Sequence, residues 1–256
     1  ILDVKGLKVG QVEDRNGLTG CTVVICEKGA VCGVDVRGGG PGTRETDLLN
    51  PINMIQKVHA VVLSGGSAFG LESTCGVSRY LEENNIGFDV GVAKVPIVVG
   101  AVLFDLAVGN PKSRPNIDMG YRACQVASDT KLNQGNFGAG CGATVGKIKG
   151  IEYAMKGGIG SHSIKLPNGL VVSALVAVNA FGDVYENGKV IAGVMDDEKK
   201  NVLNSYELMK NGVNKGGFSI DNTTIGIVAT NAKLDKAGCK KAVSYTHLTL
   251  PTNSRV

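Results

Sequence analysis

The stretch NTTIGIVATNA, residues 222–232, places a hydroxyl residue directly after an asparagine at the start of an apolar, β-branched run. Such a run predicts a buried strand. A threonine in this place suits a chain that cuts itself. The Thr223 hydroxyl attacks the preceding carbonyl, the peptide becomes an ester, and water releases a new N-terminal threonine. Its free α-amino group, with a pKa near ~8, can then deprotonate the neighbouring hydroxyl. These residues alone favour the simpler interpretation, a polar turn before an ordinary strand.

The composition limits the class of protein. The 256 residues are 43% hydrophobic and 20% charged, which fits a soluble globular protein of one large or two small domains. The net charge of +4 comes from interspersed lysines and acids, so nucleic acid is not an expected partner. No apolar run reaches the ~18 residues of a membrane span, and the start lacks a signal-peptide pattern. Free, buried cysteines such as those expected here are typical of a reducing cytosol, so we expect a cytoplasmic protein.

The cysteines and histidines do not suggest a metal or another cofactor. Seven cysteines without a CxxC pair are expected to be free, mostly buried thiols. Three histidines share no ligand spacing with one another, so zinc is disfavoured. We therefore expect a protein that works without a metal ion or an organic cofactor.

Short β-rich runs separated by turns, with helical patterns between them, predict a layered α/β sandwich rather than a doubly wound parallel sheet. In the first half of the chain we expect strands over 5–36 with a hairpin turn at 27–29, a helix over 52–59, a buried strand over 60–64 and a helix over 71–85. In the second half we expect strands on either side of an Asn-Gly turn at 168–169, and an exposed and flexible linker over 196–212.

The end of the chain has an unusual sequence. Residues 243–252, VSYTHLTLPT, resemble the translation of a sequencing-library adapter. The preceding residues 233–242 have the pattern of an amphipathic helix that breaks off before it is complete. We therefore expect 243–256 to be an artefactual tail on a C-terminally truncated gene product. The alternative is a natural, disordered C terminus.

Glycine-rich segments supply further candidates. In VLSGGSAFG, residues 62–70, the N–H groups of Gly65, Gly66 and Ser67 could hold an anion or an oxyanion at a helix start. The segment matches neither GxGxxG nor a P-loop, and Ser67 lacks the GxSxG elbow of serine hydrolases. A simple tight turn is an equally good interpretation.

Three further positions carry chemistry that needs a partner. Cys141 lies in a glycine-rich loop with no histidine nearby, so we expect a packed small residue rather than a nucleophile. Lys147 ends that loop and is either solvated or placed near a developing oxyanion. Asn179 interrupts the apolar run VAVNAFG, where a buried amide must bond to backbone or donate to a ligand. The charged loop around Arg37 and Arg44 is either part of a site or a salt-bridge network.

Six motifs, taken in order, resemble one family: VRGGGPGTRETD (36–47), VVLSGGSAFGLES (61–73), VAKVPIVVGAVLFDL (92–106), GNFGAGCGATVGK (135–147), MKGGIGS (155–161) and NTTIGIVATNAKL (222–234). This is the DmpA-like self-processing aminopeptidase family, which includes L-aminopeptidase/D-esterases, β-peptidyl aminopeptidases and nylon-oligomer hydrolases. The resemblance implies an αββα sandwich like that of the N-terminal-nucleophile hydrolases. It also implies a single domain over 1–242, cut into an α-chain (1–222) and a β-chain that begins at residue 223, and a homo-oligomer of four or more subunits.

The resemblance also implies roles for individual residues. Thr223 matches the nucleophile, with self-cleavage between Asn222 and Thr223, and Asn179 matches the oxyanion-donating asparagine. Lys147 matches the site lysine of the nylon-hydrolase branch. Phe104 falls where some members carry a catalytic tyrosine, so that hydroxyl is missing here. An acidic or Ser/Glu pair of the family would fall beyond Ala242. Without that pair we expect the 256-residue chain to be uncleaved, poorly soluble and inactive, and its full-length parent to cleave itself.

These inferences together predict an aminopeptidase or amidase zymogen acting on small peptides or related amides, with Gly65, Gly66, Ser67 and Phe104 at the substrate. Two alternatives stay open. One is a hydrolase of non-peptide linear amides, and the other is a small-molecule-binding member that never cuts itself.

Overall fold

The computed structural model describes residues 1–213 and 222–249, with side chains as far as Tyr245. The strands are β1 Lys8–Asp14, β2 Thr19–Ala30, β3 Thr43–Arg44, β4 Val58–Ser64, β5 Phe88–Asp89, β6 Lys94–Val95, β7 Val98–Val102, β8 Thr144–Val145, β9 Met155–Lys156, β10 Gly158–Lys165, β11 Val171–Asn179, β12 Val184–Glu186, β13 Lys189–Ala192 and β14 Thr223–Thr230. The α-helices are α1 Ser73–Glu83, α2 Ile117–Gln125, α3 Ser205–Lys210 and α4 Lys236–Thr249.

Two sheets form the centre of the molecule. The first has five strands in the order β1-β2-β4-β7-β3, and all its neighbours are antiparallel except the parallel pair β4 and β7. The second has three antiparallel strands in the order β10-β11-β14. The remaining described strands pair as short two-stranded ladders. Because β4 and β7 are parallel, the loops that follow both strands emerge at the same edge of the sheet.

A helical layer covers one face of the first sheet. Val23 and Val62 of the sheet pack with Val77 and Leu81 of helix α1 in one buried cluster, which also includes residues of α2. The two helices approach closely because each presents a glycine to the other. A Cβ atom at Gly120 of α2 would overlap the main chain of α1, and one at Gly76 of α1 would overlap the main chain of α2.

The opposite face of the first sheet packs against the second sheet. Val24 and Leu63 from the first sheet share a core with Ile159, Leu175 and Ile225 from the second. The order of layers is therefore helices, sheet, sheet, and the predicted α/β sandwich class is confirmed. The described residues do not supply a fourth, helical layer, because apolar residues on the outer face of the second sheet stay exposed, Val172 to 40% and Val228 to 39%.

Several local predictions are confirmed. The Asn-Gly turn at 168–169 joins β10 to β11, and the predicted strand over 60–64 lies within β4. Helix α1 lies within 71–85, although residues 67–72 before it form a 3₁₀ turn. The predicted helix after residue 232 begins at Lys236 and continues to Thr249. Of the tail predicted to be an artefact, 243–249 belong to α4 and 250–256 lie outside the described residues.

Three local predictions are wrong. Residues 27–29 do not form a hairpin turn, because β2 continues through them to pair with β4 across an irregular register. The first hairpin turn lies instead between β1 and β2, where the Asp14 carboxylate accepts from the N–H groups of Asn16 and Gly17, both at 2.9 Å. Residues 52–59 form turns and then enter β4. Residues 196–212 are mostly exposed, as expected, but they are not a plain linker, because they contain α3, which Asn204 caps.

Candidate active site

Thr223 and Asn179 lie directly opposite each other where β14 begins and β11 ends. They are register partners in the antiparallel ladder between these strands. Side chains of such partners lie on one face of a sheet with their Cβ atoms ~4.5–5.5 Å apart. On β11 that face also carries the buried residues Leu175 and Ala177, so it is the face turned toward the first sheet. The pair therefore lies at the edge of the core between the two sheets.

The alternation of the strand separates the two candidate threonines. Thr223 is half-buried and shares the inner face with Ile225, which is 9% exposed. Thr224 is exposed and lies on the outer face with Gly226 and Val228. Only the Thr223 hydroxyl is therefore placed on the side of Asn179.

The side chain of Asn179 is fully buried and held at both ends. Its Oδ1 accepts from the Thr144 N–H at 3.0 Å, the Thr144 hydroxyl at 3.3 Å and the Lys147 ammonium at 2.9 Å. Its Nδ2 donates to the Phe104 carbonyl at 2.8 Å. Because donors surround one end and a carbonyl faces the other, the network fixes which end is oxygen and which is nitrogen.

Lys147 reaches Asn179 from a loop that follows β8. The residue is 3% exposed, and its ammonium donates both to Oδ1 and to the main-chain carbonyl of Asn179, the latter at 3.2 Å. The main chain of the loop is fixed by hydrogen bonds from Gly146 to Gly182 and from Lys147 to Phe181, both at 2.8 Å. The Lys147 side chain is therefore held against the oxygen end of the Asn179 amide, where its positive charge would polarise the amide.

Phe104 joins this group through its main chain. Its carbonyl oxygen accepts from Asn179, and its side chain is half-buried. A phenyl ring cannot donate a hydrogen bond, so the peptide at this position contributes an acceptor and the side chain contributes no acid or base.

The segment Gly65–Ser67 does not line the cleft that Thr223 lines. Its N–H groups are bonded within the protein: Gly65 donates to the Gly20 carbonyl at 2.9 Å, Gly66 to the Asp105 carboxylate at 2.7 Å and Ser67 to the Leu103 carbonyl at 2.9 Å. The following residues form a 3₁₀ turn instead of an α-helix start. The structure therefore favours the tight-turn interpretation, and a substrate-binding role for this segment stays a prediction.

A cleft of about 710 Å³ opens beside Thr223. One wall is formed by the main-chain stretch 222–228 and another by the glycine-rich loop 36–43, with valine and leucine side chains of β4 and β7 at its base. The charged loop is not a salt-bridge network. Arg37 pairs with Asp35 at 3.0 Å, whereas Arg44 donates to Thr74 and Cys75, both at 2.8 Å.

Cys141 is a packed residue, as expected. It is 2% exposed, and burial raises the pKa of its thiol, which disfavours the thiolate that a nucleophile requires. Its carbonyl accepts a hydrogen bond from Lys156. The neighbouring glycines serve close packing, since a Cβ atom at Gly140 would overlap the main chain of Ile159.

Comparison with known proteins gives the family. A model of peptidase family S58 matches residues 1–255. The chain belongs to peptidase family S58. The S58 assignment confirms the resemblance noted in the motifs and makes the protein a hydrolase.

Two relatives illustrate the range of this S58 protein's similarity. An uncharacterized aminopeptidase of Mycobacterium leprae is 41% identical to it, over 94% of this chain and 70% of the relative. A 6-aminohexanoate-oligomer endohydrolase of Kocuria sp. is 27% identical, over 96% of this chain and 67% of the relative. Peptide and non-peptide amide substrates are thus both represented among names of similar proteins.

Solved structures confirm the fold of the S58 chain. The L-aminopeptidase D-Ala-esterase/amidase of Ochrobactrum anthropi, described as a variant of the Ntn hydrolase fold, matches with a TM-score of 0.70 at 16% identity, over 98% of this chain and 68% of that one. A β-aminopeptidase of Burkholderia sp. matches with a TM-score of 0.59 at 21% identity, over 94% of this chain and 64% of that one. None of the helices in the described part of the chain has the length and apolarity to cross a membrane.

One buried acid beside the candidate site was not singled out from the sequence. Asp105 is a carboxylate that is 3% exposed, directly after Phe104. The available signal was an acid at the end of the apolar run AVLF (101–104), a position where a buried charge requires hydrogen-bond partners. Sequence alone did not show which groups, far apart along the chain, supply those partners.

Proposed function

We propose that this S58 hydrolase is made as a zymogen and activated by cleavage of its own Asn222–Thr223 bond. The observation that carries the proposal is the placement of Thr223 opposite Asn179 on the inner face of the second sheet. In the cleavage step the Thr223 hydroxyl oxygen attacks the Asn222 carbonyl carbon, and the amide nitrogen leaves as a protonated amine. Water then hydrolyses the ester, which gives an Asn222 carboxylate and a free Thr223 amine.

After cleavage, Thr223 acts as nucleophile and its α-amine as general base. The hydroxyl attacks the carbonyl carbon of a substrate amide, the substrate amine leaves, and water releases the acyl group. Asn179 donates an N–H to the oxyanion, and Lys147 strengthens that donor by polarising the amide. Support comes from the short contacts that hold Asn179 between Lys147 and Phe104.

The favoured substrate class is the N-terminal amide bond of small peptides. The naming of S58 relatives as aminopeptidases favours it, since one of them shares 41% identity with this chain. A second candidate is a linear non-peptide amide, which the 6-aminohexanoate-oligomer endohydrolases favour at 27% identity. An aminoacyl-p-nitroanilide panel and a 6-aminohexanoate oligomer, assayed side by side on the same preparation, separate the two classes.

Self-cleavage is tested on a denaturing gel with matched variants of the two threonines. The full-length wild-type protein is expected to give two bands, and the smaller fragment to begin Thr-Thr-Ile-Gly-Ile on N-terminal sequencing. Thr223→Ala should give a single band, because the attacking oxygen is gone. Thr224→Ala should cleave normally, because Thr224 lies on the outer face of the strand.

Two outcomes would contradict the proposal. A fragment that begins at residue 224 would assign the nucleophile to the wrong threonine. A wild-type chain that stays intact after long incubation would favour a member of the fold that binds small molecules without cutting itself. We also propose a homo-oligomer of four or more subunits, which light scattering coupled to size-exclusion chromatography measures directly.

A further inference from the structure

Asp105 is a buried carboxylate that the proposed chemistry does not use. It is 3% exposed. Its Oδ1 accepts from the Gly66 N–H at 2.7 Å, and its Oδ2 accepts from the Thr19 hydroxyl at 2.7 Å. A buried ionised group is stable only when such bonds compensate for lost hydration. The carboxylate therefore ties the loop after β7 to the loop after β4 and to the start of β2.

The chain makes room for this carboxylate with glycine. A Cβ atom at Gly65 would overlap Oδ2 of Asp105. A Cβ atom at Gly142 would overlap both the Cβ and the Oδ2 of Asp105. Gly142 lies two residues before Thr144, which donates to the oxygen end of the Asn179 amide. One of the two segments packed around Asp105 thus leads directly to that oxygen end.

The other end of the same amide is coupled to Asp105 through a single peptide unit. The Phe104 carbonyl, which accepts from Asn179 Nδ2 at 2.8 Å, lies in the planar peptide that joins Phe104 to Asp105. Because the plane cannot twist, the two hydrogen bonds that hold the Asp105 side chain also restrict the direction of the Phe104 carbonyl. The nitrogen of Asn179 follows that carbonyl.

We propose that Asp105 is a positioning residue of the hydrolase. Its carboxylate fixes the Phe104 peptide and thereby sets the direction in which Asn179 presents its N–H groups to the oxyanion. The inference rests on the proposed role of Asn179. It accounts for a buried carboxylate that does not line the cleft beside Thr223, and for the glycines packed against it.

The coupling between Asp105 and Asn179 is measured by NMR on chains that carry Thr223→Ala, so that each sample is one uncut molecule. Asp105→Asn keeps the shape of the side chain and removes its charge. The side-chain amide proton resonances of Asn179 are expected to move upfield, because the bond to Phe104 lengthens. Thr19→Val, which removes one of the two bonds to the carboxylate, should move them less and in the same direction.

Asp14→Asn is the matched control. The Asp14 carboxylate also holds a turn by accepting main-chain N–H groups, but it holds the turn between β1 and β2. The Asp14→Asn substitution should therefore leave the side-chain amide resonances of Asn179 unchanged. In chains that retain Thr223, Asp105→Asn is expected to slow self-cleavage about tenfold, equivalent to ~1.4 kcal/mol in the barrier. Asp14→Asn should leave the rate of self-cleavage unchanged.

Each outcome decides the inference. Unchanged Asn179 resonances in a folded Asp105→Asn or Thr19→Val protein would overturn it, and so would equal movement in the Asp14→Asn control. Movement specific to Asp105 and Thr19, together with slower cleavage, supports it. A wild-type chain that does not cleave would overturn the role of Thr223 and leave the resonances to decide whether Asp105 positions Asn179.

Discussion

Replacing Asn179 by alanine should destabilise the protein well beyond a typical polar substitution. The side chain is fully buried, and its oxygen accepts from the Thr144 N–H and the Lys147 ammonium while its nitrogen donates to Phe104. Each of these three groups loses a partner in the variant. A buried polar group that loses its partner costs roughly 1–3 kcal/mol, and more when it is charged.

A water molecule can fill the space of the missing side chain, and Lys147 keeps its bond to the Asn179 carbonyl, so both offset part of the cost. We therefore expect the three losses to lower the free energy of unfolding by about 3–6 kcal/mol. That is a large part of the ~5–15 kcal/mol of a typical domain. A folded Asn179→Ala protein is therefore expected to unfold at clearly lower urea concentration. Any loss of turnover, about 10²–10³ for one oxyanion donor, must be measured on its folded fraction.

The measurement is urea unfolding in the Thr223→Ala background, so that cleavage does not change the molecule under study. Ser173→Ala is the control, since Ser173 lies buried on the same strand face and shares one hydrogen bond with Ser163. It should lose only about 1 kcal/mol. Equal losses for the two variants would refute the reasoning, because the amide would then contribute no more than a single hydroxyl.

Three other perturbations have expected outcomes that urea unfolding can check. Gly120→Ala should destabilise by about 1–3 kcal/mol because its Cβ would overlap the main chain of α1. Gly238→Ala, whose Cβ would have its nearest atom, an Asp235 side-chain oxygen, at 3.1 Å, should change stability by less than about 1 kcal/mol. Lys236→Met should lower the free energy of unfolding by about 2–4 kcal/mol, because Lys236 is 3% exposed and its ammonium donates to three main-chain carbonyls. Lys240 is exposed, so Lys240→Met should change the free energy of unfolding by less than ~0.5 kcal/mol. Burial raises the pKa of Asp105 above its ordinary value in the folded state. Its contribution to stability is therefore present below the ordinary pKa of aspartate and is lost as pH rises through the raised pKa, and Asp105→Asn should remove this pH dependence.

Local patterns predicted the elements whose boundaries are set by nearby residues. The Asn-Gly turn at 168–169 fixes a hairpin through two residues, and the run from Ile225 predicts β14 by its own composition. Helix α2 was overlooked although its N-cap signal was present, since Asn116 accepts from the Met119 N–H at 3.0 Å. A cap of this kind is visible in sequence, so that omission was avoidable.

The wrong predictions depended on pairing between distant segments. Residues 27–29 contain a glycine at φ 72°, which suits a turn, but the pairing of β2 with β4 extends the strand past it. The hydrogen-bond partners of the Asp105 side chain are Thr19 and Gly66, which lie 86 and 39 positions away along the chain. Motif order placed Asn179 and Thr223 in one site, but their register and the role of the Phe104 carbonyl required the folded chain.

The ladder between β11 and β14 also bears on what a cut before Thr223 would do. Eight residues of β14 pair in unbroken register with β11, beginning with Thr223 itself. A severed chain end normally gains conformational freedom, and a reactive group on it spends little time in one place. Here the new terminus would begin inside a sheet, so breaking the covalent bond would create an amine without releasing the residue that bears it.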